Sequence, residues 1–496
     1  MTAPDLNSSL RSGDLSPPAA APDSLPRSVT ARLGWRLCRA GTRGSRLPDR
    51  AIVALVIIAA LALYLPRLST PPRYLWDEIL HAYTAGEYLK RNADAFQWDI
   101  PCSVGRPDSE CEEENPAAIR GNRVGKYEWT HPPLGKEFIA AGIALLGDDA
   151  VGRRTPGVLF GAAGVGLLYL LARAITRRRA VALLAAILLL LDGLYFVQAR
   201  LATLDIFGTV FLLGALLAFT AYLTVPPARC RWPLLLTGCC LGCGIATKWN
   251  AAYASGLIGL VVLARIVLLA RAGRREPGSA TVRAGLRAHL IWAPIALVVL
   301  PALLYIASYL PFFASGYGIA DFVDLQQAML HYHRTYQADL DDASRWWQWP
   351  LALQPAWYGS TDFDDGRVAN MYALGNPLLY WAFLPAMLWL VVRLWRQRAP
   401  LLIVLAIGFF GQWLPWALIP RPAFTYHFLP AVPFGCLAVA AAVVHLWQGN
   451  SGWWRTLALA YVALVAAAFV FFFPLYAYLP LSDDALALRM WLDRWR

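Results

Sequence analysis

The sequence has little charge for its length. Asp, Glu, Lys and Arg make up 15% of its 496 residues, and 58% of the residues are hydrophobic. A soluble domain averages about 25% charged residues, so the composition excludes a soluble globular protein and favours an all-α polytopic membrane protein. The net charge of +12 does not indicate a nucleic-acid partner, because the basic residues are scattered along the chain rather than gathered on one soluble face.

Apolar runs of about 17–25 residues, long enough to cross a bilayer, recur along residues 50–480. We predict about eleven membrane helices in this region, with two larger extracytoplasmic loops at 68–136 and 312–376. The run 137–147 is too short to span and is predicted to be interfacial or re-entrant. The predicted spans are 51–67, 155–175, 180–198, 202–224, 232–247, 250–271, 288–311, 377–395, 399–419, 428–447 and 455–479.

The orientation follows from the basic residues, which collect in the cytoplasmic loops of membrane proteins. Eleven helices with a cytoplasmic N-terminus place every basic cluster inside, whereas a twelfth span would move 177–179 outside. Residues 1–49 are predicted to be a disordered basic cytoplasmic tail, and 481–496 an extracytoplasmic tail. The first helix shows no signal-peptide cleavage pattern and is expected to remain as an anchor. An Ala-, Leu- and Arg-rich composition favours a bacterial plasma membrane.

Cysteine is scarce outside the apolar runs. Cys102 and Cys111 lie in the first outer loop, where an oxidising compartment permits disulfides, and they are candidates for one. Cys239, Cys240 and Cys243 lie inside an apolar helix. Small polarizable core residues are a better interpretation of these three than a metal site.

The first outer loop opens with Asp77 and Glu78 and closes with the motif His131-Pro132-Pro133-Leu134-Gly135-Lys136. Neighbouring carboxylates near a membrane face can serve as a general base, a metal ligand or an acceptor-binding group; the alternative is a solvated acidic pair or a helix cap. The prolines restrict His131 to an extended conformation, and Lys136 can reach an anionic headgroup at the membrane surface. The alternative for this motif is a rigid loop-to-helix cap.

Basic residues on the outer face run against the positive-inside trend and need a partner. Arg154 opens the second helix, Arg200 and Asp205 lie at the next outer turn, and Lys248 lies at the outer turn after that. Arg offers a bidentate fork for phosphate, and charges at the edge of hydrocarbon are costly unless paired or functional. Together they predict a pocket for an anionic lipid-linked substrate. Headgroup anchoring, or pairing of Arg200 with Asp205, is the alternative.

The second outer loop and the turn before the tenth predicted helix add aromatic and histidine candidates. They include His333, Trp347, Tyr426 and His427. Most tryptophans here fit an interfacial aromatic belt, and stacking on a sugar ring is the functional alternative.

In chain order, these motifs resemble the protein O-mannosyltransferase family, in its bacterial form without the lectin-like MIR domain, which has the membrane-embedded GT-C glycosyltransferase fold. The loop between Glu78 and His131 is longer than the family pattern, with the segment 102–114 inserted. The matching segments are Asp77-Glu78, His131 to Lys136, Arg154 with Pro156, Arg200 with Leu204-Asp205, Thr247-Lys248-Trp249, Tyr332-His333, Trp346-Trp347 with Trp349-Pro350, and Tyr426 to Pro430.

The resemblance implies inverting transfer of mannose from a polyprenyl-phosphate carrier to Ser or Thr hydroxyls of exported polypeptides. It implies that Asp77 is the catalytic base and that Glu78 helps to hold the acceptor. It also implies that Arg154, with Lys248 or Arg200, binds the donor phosphate. Exported polypeptides, the secretion machinery and membrane lipids are the expected partners.

Two other functions stay open at this point. Another GT-C transferase would use the same donor-side residues to place a sugar or aminosugar on a glycolipid such as lipid A. A lipid-linked sugar flippase or transporter would carry charges inside its helices and an inverted repeat, neither of which is evident. The cofactor is open too, because Asp77, Glu78 and His131 suit a divalent cation as well as a metal-free base.

Overall fold

A computed structural model of the chain describes residues 47–106, 109, 119–120, 123–338, 340–397, 399, 402–449 and 451–495. Residues 1–46 of the predicted tail, and Cys111 within the 102–114 insertion, lie outside the described residues. The helices are α1 (Asp49–Tyr64), α2 (Glu78–Leu89), α3 (Leu134–Leu146), α4 (Ala150–Thr176), α5 (Arg179–Leu190), α6 (Gly193–Ala199), α7 (Asp205–Thr224), α8 (Arg231–Thr247), α9 (Ala252–Arg275), α10 (Ala280–Pro294), α11 (Leu300–Ala307), α12 (Leu310–Ala314), α13 (Ile319–Thr335), α14 (Pro377–Arg396), α15 (Leu402–Leu405), α16 (Gly411–Trp413), α17 (Val432–Trp447), α18 (Gly452–Tyr476) and α19 (Asp483–Ala487).

Within the described residues, seven helical segments are long and apolar enough to cross a membrane, and the pair α5 and α6, bent by 68°, makes an eighth if it is one broken span. Each predicted span coincides with helix. The predicted number of eleven is not confirmed, because α1 and α8 have only 16 and 17 residues and the segment Leu402–Leu418 is also short. The seven segments are Ala150–Thr176, Asp205–Thr224, Trp249–Arg275, Ala280–Ala307, Pro377–Arg396, Thr425–Trp447 and Gly452–Tyr476.

The break between α5 and α6 is fixed by Asp192. Its carboxylate accepts the backbone N–H of Tyr195 at 2.8 Å and the backbone N–H of Asn376 at 3.2 Å. The first bond caps α6, and the second ties the bend to the start of α14. The bend lies just before the turn that carries Arg200 and Asp205.

The turn from α3 into α4 depends on glycine. Gly147 has a φ of 103°, which L side chains avoid, and a Cβ on Gly152 would lie 1.9 Å from the Gly147 carbonyl oxygen. Asp149 caps α4 by accepting the N–H of Val151 at 2.8 Å and of Gly152 at 2.9 Å. The first turn of α4, which contains Arg154, is therefore held closely against the end of α3.

The two loops that are predicted to be extracytoplasmic, and the segment after α18, contain short strands that the sequence analysis did not predict. β1 and β2 form an antiparallel hairpin in the first loop, and β4 pairs antiparallel with both β3 and β5. Trp495 is buried and donates its indole N–H to the Ala352 carbonyl at 3.0 Å, so the segment 481–495 packs against the second loop. The strands are β1 (Ile119–Arg120), β2 (Arg123–Val124), β3 (Ala356–Asp362), β4 (Val368–Ala373) and β5 (Pro480–Leu481).

Candidate active site

Asp77 and Glu78 lie side by side at the start of α2 but have different surroundings. The preceding residue, Trp76, has a φ of 46°, which is unusual for a bulky residue and turns the chain into α2. Asp77 lines a cavity of about 330 Å³, which we call the Asp77 cavity, whereas Glu78 is fully buried. The lining of the Asp77 cavity also includes Trp76, Leu80, His81, Glu128, Thr130, His131, Tyr332, His333, Arg421, Phe424 and Tyr426.

Asp77 has the electrostatic environment of a proton acceptor. Burial raises the pKa of its carboxyl group to about 7, and nearby Asp205 adds to the rise, whereas Lys248 and a hydrogen bond with Tyr426 oppose it. Among the described residues Asp77 has no salt-bridge partner. A carboxyl group that titrates near neutrality can take a proton from a hydroxyl group bound in the cavity.

The Glu78 carboxylate is engaged in an ion pair with Arg154. The two form a bidentate ion pair, with Nε to Oε1 at 2.8 Å and Nη2 to Oε2 at 2.7 Å. Burial disfavours the charged form of Glu78, but Arg154 holds the pKa of this carboxyl group below its usual value. Glu78 also accepts the backbone N–H groups of Leu75 and Ala202, each at 3.0 Å. The lone pairs of Glu78 are thus used by groups within the protein and are not available to hold an acceptor substrate.

The remaining Arg154 donors are also used inside the protein. Nη1 donates to the carbonyls of Leu68 at 3.0 Å and Pro71 at 2.9 Å, and Nη2 donates to that of Arg73 at 3.2 Å. With the two bonds to Glu78, all five guanidinium N–H groups have acceptors. Arg154 fastens the start of α2 to the end of α1, and it does not line the Asp77 cavity.

Asp205 and Lys248 form a second buried pair. The Lys248 ammonium lies 2.8 Å and 3.0 Å from the two Asp205 carboxylate oxygens and 5.5 Å from the centre of the Tyr426 ring. Both charged side chains are nearly inaccessible to solvent. Asp205 pairs with Lys248 rather than with Arg200, which was the alternative in the sequence analysis. Arg200 instead donates to the Pro66 carbonyl at 2.7 Å.

Glu128 and Lys136 form a third buried pair in the first outer loop. Lys136 Nζ lies 2.7 Å from Glu128 Oε2 and 3.0 Å from the His131 carbonyl, and Thr130 also donates to Glu128. Burial opposes ionisation of Glu128, but Lys136 keeps the pKa of this carboxyl group below its usual value. The prediction that Lys136 meets a headgroup at the membrane surface is wrong, because its ammonium is turned inward and is 1% exposed.

Three imidazoles line the Asp77 cavity. The rings of His131 and His333 stack with centres 5.4 Å apart, and that of His81 lies 6.1 Å from His131. His333 Nε2 donates to the Thr130 carbonyl at 2.8 Å. Burial lowers the pKa of His333 to about 4 and that of His81 to about 3, so both are neutral at physiological pH. His427 lies behind the cavity, where its Nδ1 accepts the Phe424 N–H at 3.0 Å.

Arg421 and Lys126 are basic side chains of the Asp77 cavity that the sequence analysis did not select, and Arg421 extends beyond it. Arg421 lines the Asp77 cavity and also a neighbouring groove of about 620 Å³, which we call the Arg421 groove. Within the described residues the Arg421 guanidinium has no hydrogen-bond or salt-bridge partner, and it lies 5.8 Å from the Trp416 ring centre. The Arg421 groove also contains Trp347, which is 42% exposed, together with Trp346. Trp347 therefore lies outside the Asp77 cavity.

Sequence reasoning also missed His81 and Glu128. His81 lies one helical turn after Asp77, a spacing that places both on one face of α2, and this signal was available. Glu128 was visible only as an acidic residue three positions before His131. Within the described part of the chain, no group of three or more His, Cys, Asp or Glu side chains is placed to hold a metal ion. Glu78 is engaged by Arg154, so it is not available to the cation set of Asp77, Glu78 and His131 that the sequence analysis left open.

The candidate disulfide is resolved in part. Cys102 is disulfide-bonded, as expected for a cysteine in the first outer loop. Cys111 lies outside the described residues, so its pairing with Cys102 stays a prediction. Cys239, Cys240 and Cys243 are free, partly buried thiols in α8.

Two family descriptions match the chain. Residues 124–315 match the dolichyl-phosphate-mannose-protein mannosyltransferase family, and residues 318–495 match the C-terminal four TMM region of protein-O-mannosyltransferase. A polyprenol-phosphate-mannose–protein mannosyltransferase of Mycobacterium tuberculosis is 30% identical over 427 residues, which cover 74% of this chain and 81% of the relative. The protein of the same name from Corynebacterium glutamicum is 27% identical, with coverage of 80% and 86%.

The fold agrees with these matches. The Saccharomyces cerevisiae protein O-mannosyltransferase Pmt1-Pmt2 complex bound to the sugar donor aligns with a TM-score of 0.73 at 14% identity, covering 91% of this chain and 93% of that chain. The predicted GT-C architecture is confirmed. On this sequence identity and coverage, the chain belongs to the protein O-mannosyltransferase family.

Proposed function

We propose that the protein transfers mannose from a polyprenyl-phosphate carrier to Ser or Thr hydroxyls of polypeptides, with Asp77 as the general base. The observation that carries the proposal is a carboxyl group of pKa about 7 that lines a cavity of about 330 Å³, with Arg421 also in the lining. The names of the mycobacterial and corynebacterial relatives support a mannose donor and a protein acceptor over a glycolipid acceptor or a flippase.

The reaction is a single displacement with inversion. The acceptor oxygen bonds to the anomeric carbon while the bond from that carbon to the phosphate oxygen breaks, and Asp77 takes the hydroxyl proton. General-base assistance of this kind contributes about 10²–10⁴-fold. The electron pair of the broken bond stays on the polyprenyl phosphate, whose added negative charge Arg421 stabilises.

We assign the donor phosphate to Arg421 rather than to Arg154 or Arg200. The five donors of Arg154 already have acceptors, and Arg200 is bonded to the end of the first helix. Lys248 acts from behind the cavity wall, where its charge limits the rise in the pKa of Asp77. The aromatic Arg421 groove then takes the first isoprene units of the carrier.

We infer that the N-terminus is cytoplasmic and that the Asp77 cavity is extracytoplasmic, in the plasma membrane. The basic run 177–179 follows one end of α4, and Arg154, which holds the Asp77 loop, lies at the other end. Positive charge marks the cytoplasmic end of a span. Exported polypeptides delivered by the secretion machinery are the acceptors that this orientation serves.

The test is a transfer assay with purified protein, radiolabelled polyprenyl-phosphate-mannose and a Ser/Thr-rich peptide. Label is expected in the peptide, and Asp77→Asn should reduce the rate at least a hundredfold while the protein stays folded. Asp364→Asn, an exposed position in the loop between β3 and β4, is the matched control and should retain full activity. Activity in Asp77→Asn would remove the base assignment, and label in lipid alone would overturn the protein acceptor.

A further inference from the structure

A second groove shares a wall with the Asp77 cavity and has no role in the reaction described above. It has a volume of about 600 Å³ and runs between the first outer loop and α13. Val104, Gly105, Tyr332 and Tyr336 line both spaces. We call it the Trp129 groove, after the tryptophan in its aromatic wall.

Part of the lining of the Trp129 groove is aromatic. Trp98 and Trp129 come from the first outer loop, and the Trp129 ring is fixed by its N–H, which donates to the Val104 carbonyl at 3.0 Å. Trp129 packs edge-on against Tyr332 with ring centres 5.4 Å apart, and Tyr332 stacks on Tyr336 at 4.8 Å. These contacts hold the rings before any ligand binds, so little side-chain entropy is lost on binding.

A polar stripe on α13 also lines the groove. Asp324, Gln327, His331 and Thr335 follow one another at intervals of three or four residues, which places them on one face of the helix. All four side chains are exposed. They offer a carboxylate, an amide, an imidazole and a hydroxyl group, which together donate and accept hydrogen bonds.

A groove lined by aromatic rings and by hydrogen-bonding side chains suits a hexose. A pyranose ring has an apolar face of C–H groups, and hydroxyl groups around its edge. An acidic and a basic side chain, Asp324 and Arg106, both line the groove, so its charge does not favour a phosphate headgroup over a neutral sugar. A sugar is also what the adjoining cavity delivers, since the product of the proposed reaction is a mannosylated polypeptide.

We propose that the Trp129 groove binds a mannosyl residue already attached to the acceptor polypeptide, while a nearby Ser or Thr of the same polypeptide reaches Asp77. This inference rests on the proposed function. An extended chain advances about 3.3–3.6 Å per residue, so a sugar two or three residues away is displaced by about 7–11 Å. This displacement suits a polypeptide that reaches both the Asp77 cavity and the Trp129 groove, because the two share lining residues. The enzyme therefore prefers acceptors that it has already modified, and it places mannoses in clusters.

The experiment compares two synthetic peptides of identical sequence with two Thr residues, one of which carries mannose in the second peptide. The KM of the remaining Thr should be about tenfold lower in the glycopeptide, a ratio that corresponds to about 1.4 kcal/mol, with similar kcat. The double variant Asp324→Ala/Gln327→Ala should bring the ratio of the two KM values to about one. Arg334→Ala, an exposed change on the same helix outside the groove, is the control and should keep the tenfold ratio.

Three results would overturn the proposal, and they differ from one another. Equal KM values in the wild-type enzyme would remove the sugar subsite and leave the proposed function intact. A double variant that raises both KM values alike would assign the groove to the bare polypeptide. Absence of transfer to either peptide by the wild-type enzyme would overturn the proposed function itself, and with it this inference.

Discussion

The buried pair of Glu78 and Arg154 provides a prediction that separates structural support from donor binding. Arg154→Ala would leave the Glu78 carboxylate fully buried, with only two backbone N–H donors. Breaking a buried ion pair by removing one partner costs about 3–5 kcal/mol. The carbonyls of Leu68, Pro71 and Arg73 would lose their donors as well, so we expect the upper part of that range.

The assay is thermal unfolding of the purified protein in detergent at a fixed scan rate, followed by measurement of donor affinity on protein that is still folded. Arg154→Ala should lower the Tm strongly, and the remaining folded protein should bind polyprenyl-phosphate-mannose with a Kd within about threefold of wild type, about 0.6 kcal/mol. Glu78→Gln should also lower the Tm, because the amide cannot neutralise Arg154.

Arg173→Ala is the matched control on the same helix. Arg173 lies 3.3 Å from Asp49, but both side chains are about one-third exposed, and Asp49 keeps a second partner in Arg179 at 2.8 Å. Pairs this exposed contribute about 0–1 kcal/mol, so the Tm should change little. The reasoning is refuted if Arg154→Ala keeps the wild-type Tm and weakens donor binding tenfold or more, since Arg154 would then be a phosphate ligand.

Two further predictions concern the Asp77 cavity. Burial raises the pKa of Asp77 to about 7, and the base must be ionised to accept a proton. The value of kcat/KM should therefore rise about tenfold per pH unit below pH 7 and level off above it. A flat profile from pH 5 to 8 would contradict the assignment of Asp77 as the base. Arg421→Ala should raise the KM for the donor by about 10–100-fold, the range that corresponds to a charged hydrogen bond of about 1.5–3 kcal/mol, while Arg421→Lys recovers part of the loss; an unchanged donor KM would exclude Arg421 as the phosphate ligand.

The sequence predicts the positions of the apolar helices well, but it predicts poorly how many of them cross the membrane. Hydrophobic runs located the apolar helical segments, because apolar composition is what a bilayer selects, whereas α13 (Ile319–Thr335) lies in a region that was predicted to be a loop. Breaks within a run depend on contacts from elsewhere in the chain. The bend at Asp192 is held by the N–H of Asn376, 184 residues away, and a hydropathy pattern contains no trace of it.

The candidate site was predictable in its residue types but not in their pairing. His131, His333 and Tyr426 do line the cavity with Asp77, as the motifs indicate. Whether an outer-face arginine is free or engaged depends on a partner far along the chain, as for Arg154 and Glu78, 76 residues apart. Residue type and position favoured Arg154 over Arg421 as the phosphate ligand. The two arginines differ in their pairing, because Arg154 is bonded to Glu78 and Arg421 has no such partner among the described residues.

The pairing of buried charges explains why the carboxyl group of Asp77 differs from the other carboxyl groups near the site. Glu78, Glu128 and Asp205 each have a cationic partner at 2.7 or 2.8 Å, which engages their carboxylate oxygens. Asp77 has no such partner among the described residues, so burial acts on it with less compensation and its pKa rises to about 7. A carboxylate stabilised by an adjacent ammonium or guanidinium is a weak base, because removing its charge breaks the pair. In the proposed reaction, the residue left unpaired beside the cavity is therefore the one with a proton affinity high enough to deprotonate a hydroxyl group as it attacks.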